Sequence, residues 1–197
     1  MQVHHAEMTD ARQPFAVALG MFDGMHIGHR QVIDQTVKLA KERGWASAVY
    51  TFENHPRSVF AQAPAPLMTS ARRRQAMLKR GVDVVDMVRF DRAMAALEPR
   101  EFLTMLCARY DVRAVVVGSD YTYGHLGKGT VETLRRDAPD YGFEVHEVPF
   151  VMLAGEKVSS TRIRSALDSG NTALAREMLG ESLYDEPRDY QPSPRAR

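Results

Sequence analysis

Residues 16–29 read AVALGMFDGMHIGH, and the order of features in this stretch indicates the fold class. Ala16–Leu19 is an apolar run typical of a buried strand, and it stops at Gly20. After the loop, residues recur with helical spacing, and Gly44 follows as a stop signal. The recurring positions are Val32, Ile33, Thr36, Val37 and Ala40. A strand, a glycine-containing turn and a helix therefore begin the domain.

The rest of the chain continues this alternation. Further strands are expected over Ala46–Phe52, Val84–Phe90, Ala114–Val117 and Phe143–Val148. Helices are expected over Ser70–Arg80, from Pro99 along Phe102, Leu103, Leu106, Cys107 and Tyr110, and over Thr130–Arg136, Thr161–Leu167 and Thr172–Leu179. Strands that alternate with helices predict an α/β domain with a mainly parallel sheet of about five strands. We expect this domain over residues 16–180, between an N-terminal segment, 1–15, and a polar, loose tail, 181–197.

Bulk composition excludes several classes of protein. The formal net charge is +1, which offers no electrostatic case for a nucleic-acid or membrane-surface partner. No apolar run approaches the ~20 residues that span a bilayer, and the first ten residues lack the apolar core of a secretory signal. Cys107 is the single cysteine, so an intramolecular disulfide is impossible. We expect a soluble cytoplasmic protein, and the sequence carries no signal of oligomeric state.

Four unusual loops follow the predicted strands. They are Gly20–His29, Glu53–Pro56, Gly118–Gly124 and Val158–Arg164. Ligands of open α/β sheets bind outside the carboxyl ends of the strands, where such loops meet. The positions of the four loops therefore predict a single site at one edge of the sheet.

The first loop suits an anion such as a triphosphate. It leads into a helix, whose first N–H groups and positive dipole end attract phosphate, and its glycines allow close approach of the backbone. His26 and His29 share a face if their turn is helical, and two imidazoles could hold phosphate oxygens. Two alternatives stay open. Both histidines could be ordinary polar residues, or they could bind zinc, which needs a third ligand such as Asp23.

The last loop also carries features of an anion site. Ser160 or Thr161 could cap the following helix, and their hydroxyls can donate to phosphates. Arg162 and Arg164 lie at the same helix start, where the dipole disfavours cations. An anionic ligand would resolve that conflict, whereas an ordinary capped helix with solvated arginines would not.

Other features are weaker. The stretch 123–130, YGHLGKGT, lacks the spacing of a phosphate-binding P-loop, and it could be a mobile substrate loop or an ordinary turn. Tyr121 and Tyr123 could stack on a flat ring or pack on the sheet. Cys107 is expected in the core rather than as a nucleophile. The run 72–74, RRR, is expected on a solvated helix face.

These motifs resemble those of a known family. Gly20–His29 resembles the G-x-F-D-G-x-H-x-G-H opening of bacterial FAD synthetases, their version of the HxGH motif of nucleotidylyltransferases. Val158–Arg164 is similar to the ISSTxIR motif of the same superfamily. Thr51–Pro56 and Gly118–Gly124 resemble the family's T-F-[DE]-P-H-P and G-x-[DN]-[FY]-x-[FY]-G segments, and the order matches over residues 16–180.

The resemblance implies a Rossmann-like, doubly wound domain with the HxGH nucleotidylyltransferase topology. It also implies an FMN adenylyltransferase, in which the FMN phosphate attacks the α-phosphorus of ATP in line to give FAD and pyrophosphate. Mg²⁺ would neutralise the phosphates and be held mainly by them, without a metal site of the protein.

The resemblance also implies roles for single residues. The catalytic residues would be His26, His29 and Arg164. The ATP-binding residues would be Gly20, Phe22, Asp23, Gly28, Ser160 and Thr161. The residues towards the flavin acceptor would be His55, Pro56, Asp120, Tyr121 and Tyr123.

The chain departs from the family pattern in two ways. Asn54 stands where the family usually has proline, which we expect to loosen that loop and alter the acceptor site. The tail after Gly180 has no room for the riboflavin kinase domain of bifunctional members, so we expect a stand-alone transferase or a piece of a longer chain, unable to make FMN from riboflavin. The alternatives are another nucleotidylyltransferase with a different acceptor, and a non-catalytic nucleotide- or flavin-binding module.

Overall fold

A five-stranded parallel sheet organises the protein. The computed structural model describes residues 13–60 and 63–180. The strands are β1 (Pro14–Leu19), β2 (Ala46–Phe52), β3 (Val84–Val88), β4 (Asp111–Gly118) and β5 (Glu144–Val148). Their order is β3-β2-β1-β4-β5, and every neighbouring pair is parallel. A small antiparallel hairpin, β6 (Met152–Leu153) and β7 (Glu156–Lys157), follows the sheet.

Helices connect the strands. They are α1 (Ile27–Arg43), α2 (Ser70–Lys79), α3 (Arg92–Ala96), α4 (Pro99–Arg109), α5 (Val131–Tyr141), α6 (Ser160–Asp168) and α7 (Thr172–Leu179), with 3-10 turns over Pro56–Val59 and His125–Gly127. The predicted order of strands and helices is confirmed. The sequence did not reveal α3, the hairpin or the 3-10 turns, because each is too short to show a periodic pattern.

Two helix ends illustrate local control of the fold. Helix α1 ends where Gly44 takes a left-handed conformation with φ 69°, as its glycine predicts. Helix α5 runs on to Tyr141, past the predicted end at Arg136, because it continues through Pro139 and Gly142 supplies the left-handed cap.

The core lies on both faces of the sheet. Along β1, Ala16 and Ala18 pack on the side of α1 and α2, whereas Val17 and Leu19 pack on the side of α4 and α5. This alternation follows from the two-residue period of a strand, and it buries β1 almost completely. Helices therefore cover both faces, which is the doubly wound arrangement.

Strand β1 starts at Pro14, two residues before the predicted start at Ala16. The expected polar tail, 181–197, and most of the N-terminal segment lie outside the described residues. Within residues 13–60 and 63–180, none of the helices is both long enough and apolar enough to cross a bilayer.

Candidate active site

The predicted loops meet at the carboxyl edge of the sheet. Asp23, in the first loop, accepts a hydrogen bond at its backbone carbonyl from the Ser160 hydroxyl at 2.9 Å. The loop after β2 joins this region because the Arg73 guanidinium donates both to the Met21 carbonyl, at 3.1 Å, and to the Glu53 carbonyl, at 3.4 Å. The negative charge of Asp120, after β4, acts on His26. All four loops therefore contribute to one region.

His26 and His29 form a stacked pair. Their ring centroids are 3.5 Å apart, and their planes are inclined by 18°. His26 is the N-cap of α1, and its Nδ1 accepts from the His29 backbone N–H at 3.2 Å. This hydrogen bond, between the cap and the first turn, brings the rings together as the spacing predicted.

Both imidazoles are neutral at neutral pH. Burial lowers the pKa of His26 from 6.5 to about 4. Burial lowers the pKa of His29 well below its ordinary value, and the charge of Arg73 acts in the same direction. Because Nδ1 of His26 is an acceptor, the proton of its neutral ring lies on Nε2 and can be donated. Nδ1 of His29 is buried without a hydrogen-bond partner among the described residues.

The turn before the histidines has an unusual backbone. Phe22 and Met25 adopt positive φ angles of 52° and 47°, which are strained for residues with large side chains. The Phe22 ring is buried and meets His29 edge-on, with centroids 5.4 Å apart. A Cβ at Gly20 would lie 2.9 Å from the Phe22 ring, and one at Gly28 would lie 3.2 Å from the His26 ring. These glycines therefore make room for protein rings, in addition to any approach of a ligand.

Asp23 holds Arg164. The buried Asp23 carboxylate forms an ion pair with the Arg164 guanidinium and accepts the backbone N–H of Leu67 at 3.0 Å. Arg164 Nε also donates to the Ala65 carbonyl at 2.7 Å. A carboxylate of the protein therefore already faces Arg164, so its charge is compensated here without an anionic ligand.

The start of α6 differs from the prediction in two details. Ser159, rather than Ser160 or Thr161, caps the helix by accepting the backbone N–H of Arg162 at 3.2 Å. Thr161 is exposed on the first turn. Arg162 already has partners within the protein: it donates to the Leu153 carbonyl at 2.9 Å and pairs with the Glu156 carboxylate at 3.1 Å.

The loop after β2 is firmly held. His55 caps the 3-10 turn that Pro56 begins, and its Nδ1 accepts from the Arg57 N–H at 3.1 Å. Burial, and next the charge of Arg164, lowers the pKa of His55, which places this ring within reach of the site's charges.

Asn54 does not loosen that loop, so the expectation drawn from the missing proline is wrong. Its side chain donates to the Phe90 carbonyl and accepts the Phe90 N–H, both at 2.9 Å. A further bond, also at 2.9 Å, reaches the Ser58 hydroxyl. Asn54 therefore ties the end of β2 to the segment after β3.

The loop after β4 has some residues at the site and others in the core. Asp120 pairs with Lys157 on the hairpin. Tyr121 stacks on Tyr123, with centroids 5.9 Å apart and planes inclined by 10°. Tyr123 itself is buried beside Phe102 on α4, within the core that covers this face of the sheet.

The glycine-rich stretch that follows is an anchored turn rather than a mobile loop. His125 donates its backbone N–H to the Leu97 carbonyl at 2.7 Å, and Lys128 pairs with Glu98 at 2.8 Å. A Cβ at Gly129 would lie 2.6 Å from the Tyr123 ring, so packing against that ring requires a glycine at this position.

The prediction that residues 72–74 lie on a solvated helix face is wrong for Arg73. Arg72 and Arg74 are exposed, but Arg73 is buried, and its guanidinium donates to the carbonyls of Met21 and Phe52. The burial of Arg73 could have been predicted from helical periodicity, because the apolar residues Ala76 and Met77 lie three and four positions further on, on the same face of α2. Lys157, whose charge acts on His26, was also missed, since it lies on the short hairpin.

Within the described parts of the chain, no three or more His, Cys, Asp or Glu side chains are grouped so that they could hold a metal ion. Cys107 is half-buried on α4, and burial raises its thiol pKa to about 11, which disfavours the thiolate.

Fold and site together define a Rossmann-like α/β protein whose site lies at the carboxyl ends of its strands. The chain belongs to the FAD synthetase family, whose model matches residues 8–162.

Curated relatives agree with this assignment, and one solved structure agrees with the fold. The bifunctional riboflavin kinase/FMN adenylyltransferase of Listeria monocytogenes is 37% identical over 186 residues, which are 90% of this chain and 58% of that protein. The enzymes of the same description from Bacillus subtilis and Escherichia coli K12 are 33% and 34% identical, over 92% and 83% of this chain and 58% and 53% of theirs. A crystal structure described as a macrolide-efflux protein from Streptococcus pneumoniae superposes with a TM-score of 0.77 at 30% identity, over 88% of this chain and 57% of that one. The chain thus spans little more than half the length of these relatives.

Proposed function

We propose that this chain is an FMN adenylyltransferase, which converts ATP and FMN into FAD and pyrophosphate. Its membership of the FAD synthetase family and the names of its relatives support this activity. The observation that carries the proposal is the stacked pair His26–His29, two neutral imidazoles at the amino end of α1, on the sheet edge that also presents Arg164.

In this reaction an oxygen of the FMN phosphate attacks the α-phosphorus of ATP. A new O–P bond forms, the bond between the α-phosphorus and the bridging oxygen to the β-phosphorus breaks, and pyrophosphate leaves with the electron pair. The chain's task is to position the two substrates and to stabilise negative charge on the phosphates. The Nε2–H of His26 suits that task because it donates without needing a proton from solvent.

The remaining predicted residues would act around this pair. The free N–H groups at the start of α1, with Gly28 among the first residues, and the Thr161 hydroxyl would donate to phosphate oxygens. The Ser160 hydroxyl would do so by turning away from the Asp23 carbonyl, to which it donates in this structure. Arg164 would add charge while it stays oriented by Asp23. Gly20 and Phe22 would shape the nucleotide pocket through the backbone of the turn.

The acceptor would lie towards the loops after β2 and β4. Those loops contain the predicted acceptor residues His55, Pro56, Asp120 and Tyr121. Tyr123 would act indirectly, by supporting the Tyr121 ring. We propose that ATP arrives as its Mg²⁺ complex, with the ion coordinated by phosphate oxygens and lowering the charge repulsion between substrates.

Chromatography of reaction products tests the proposal. The protein is incubated with ATP, Mg²⁺ and FMN, and the flavins are separated; FAD and an equal amount of pyrophosphate are expected. Riboflavin in place of FMN lacks the attacking phosphate and should give no FAD. Absence of FAD from FMN would refute the activity, and a parallel screen with CTP and other phosphorylated acceptors would then identify a different nucleotidylyl transfer. Binding of ATP and FMN without any product would instead indicate a non-catalytic module.

A further inference from the structure

Arg73 is a charged side chain inside the protein. Only 2% of its surface is exposed, although it lies between two exposed arginines on α2. The family resemblance pointed to no role for it, and the proposed reaction assigns none. A role must therefore follow from its contacts.

Its guanidinium bridges the ends of two strands. Nη1 donates to the Met21 carbonyl at 3.1 Å, just beyond β1. Nη2 donates to the carbonyls of Phe52 and, at 3.4 Å, Glu53, where β2 ends. The planar fork of an arginine can serve these separate acceptors at once.

The Met21 carbonyl lies immediately before the strained part of the turn. It accepts both Arg73 Nη1 and the hydroxyl of the fully buried Thr51, at 3.1 Å and 3.2 Å. The next residue is Phe22, which has φ 52° and whose ring meets His29 edge-on. A strained residue keeps its conformation only where its surroundings hold it. The Met21 carbonyl, which accepts two hydrogen bonds, holds the backbone next to Phe22 in this way.

Stability alone does not explain a charge at this place. No carboxylate among the described residues hydrogen-bonds to Arg73, and Asp23, whose charge reaches it, is paired with Arg164. Buried charged groups contribute little to stability that an apolar side chain of similar volume would not supply. Both terminal nitrogens of the fork instead donate to the carbonyls at the strand ends, whereas Nε has no hydrogen-bond partner among the described residues.

We propose that Arg73 is a positioning residue for the histidine pair: it fixes the Met21 carbonyl and so holds the Phe22 ring edge-on to His29, which keeps His29 stacked on His26. This inference rests on the proposed adenylyl transfer only for its effect on turnover, because the arrangement of the rings can be measured separately.

Steady-state kinetics of R73M and R73K test the role, with R74M and R74K as matched controls at the exposed neighbour on the same helix. R73M should lower kcat by about 100-fold with KM for ATP almost unchanged, because misplaced catalytic groups slow the chemical step. R73K should fall between R73M and the parent protein, since an ammonium donates hydrogen bonds without the fork geometry. The controls should match the parent. A raised KM at unchanged kcat in R73M would overturn the proposal, because Arg73 would then act on ATP binding.

Nuclear magnetic resonance of protein labelled with ¹⁵N in its histidine rings provides a readout that does not depend on activity. The signals of His26 and His29 should shift in R73M and not in R74M. Unshifted signals in a folded R73M would overturn the role even if the parent protein makes no FAD, so this failure is separate from failure of the proposed function. If R73M does not fold, R73K decides: parental kcat together with parental histidine signals would overturn the proposal.

Discussion

The carboxylate of Asp23 and the guanidinium of Arg164 form an ion pair across 141 positions of the chain. Asp23 lies in the turn after β1, and Arg164 lies in the first turns of α6. The two side chains are only 6% and 13% exposed. This pair therefore connects the histidine-bearing turn to the last of the four loops.

The first prediction concerns the stability of that pair. Asp23→Ala should lower the free energy of unfolding by about 3 kcal/mol or more, because removal of one partner leaves a largely buried cation uncompensated. Urea denaturation monitored by circular dichroism measures the change. Glu42→Ala, in the exposed Lys38–Glu42 pair, is the control and should have little effect. Equal effects of the two substitutions would show that the buried pair contributes no special stability.

The second prediction concerns pH. The pKa of His26 is about 4 in the folded protein against 6.5 ordinarily, so between these values the unfolded state binds more protons. The free energy of unfolding should therefore fall as pH falls from 6.5 towards 4, with His26 contributing about 3 kcal/mol of the decrease, and this group adds no further change below that range.

The variant His26→Asn isolates that contribution, because asparagine keeps an N-cap acceptor and does not titrate. Its free energy of unfolding, measured in urea at intervals between pH 7 and pH 4, should decline less steeply than that of the parent protein. Parallel declines would mean that burial of His26 does not govern this pH dependence.

The third prediction concerns turnover. His29→Ala should lower kcat for FAD formation by about 100-fold to 1000-fold, while KM for ATP changes little, because the ring would act on charge that develops in the transition state. His146→Ala, on the edge strand β5, is the matched control and should retain full turnover. Unchanged kcat in His29→Ala would remove His29 from the mechanism.

The fourth prediction separates helix stability from activity. Alanine ordinarily favours a helix over glycine, but a Cβ at Gly28 would lie 3.2 Å from Cε1 and 3.3 Å from Nδ1 of His26. That Nδ1 is bonded to the His29 N–H, so the ring has little freedom to withdraw. Gly28→Ala should therefore lower kcat while the protein stays folded at the parental melting temperature or close to it. Full activity would show that the ring moves aside without consequence.

Local sequence determined the order of elements and several of their ends. The bounds of β2 and α7 were predicted to the residue, and Gly44 ends α1 as expected. These features depend on apolar periodicity and on caps, which neighbouring residues control. The convergence of four loops was also predictable, because parallel strands place their carboxyl ends at one edge.

Tertiary structure alone decided which partner each polar side chain found. The sequence placed Arg73 on a solvated face and Arg164 at an anionic ligand, and it predicted that Asn54 loosens its loop. Instead, Arg73 binds the carbonyl of Met21, Arg164 the carboxylate of Asp23 and Asn54 the backbone of Phe90. Each partner lies outside the element that carries the side chain, tens of residues away in the chain. A hydrogen bond requires atoms about 3 Å apart, and only the packing of the elements brings such distant residues to that distance.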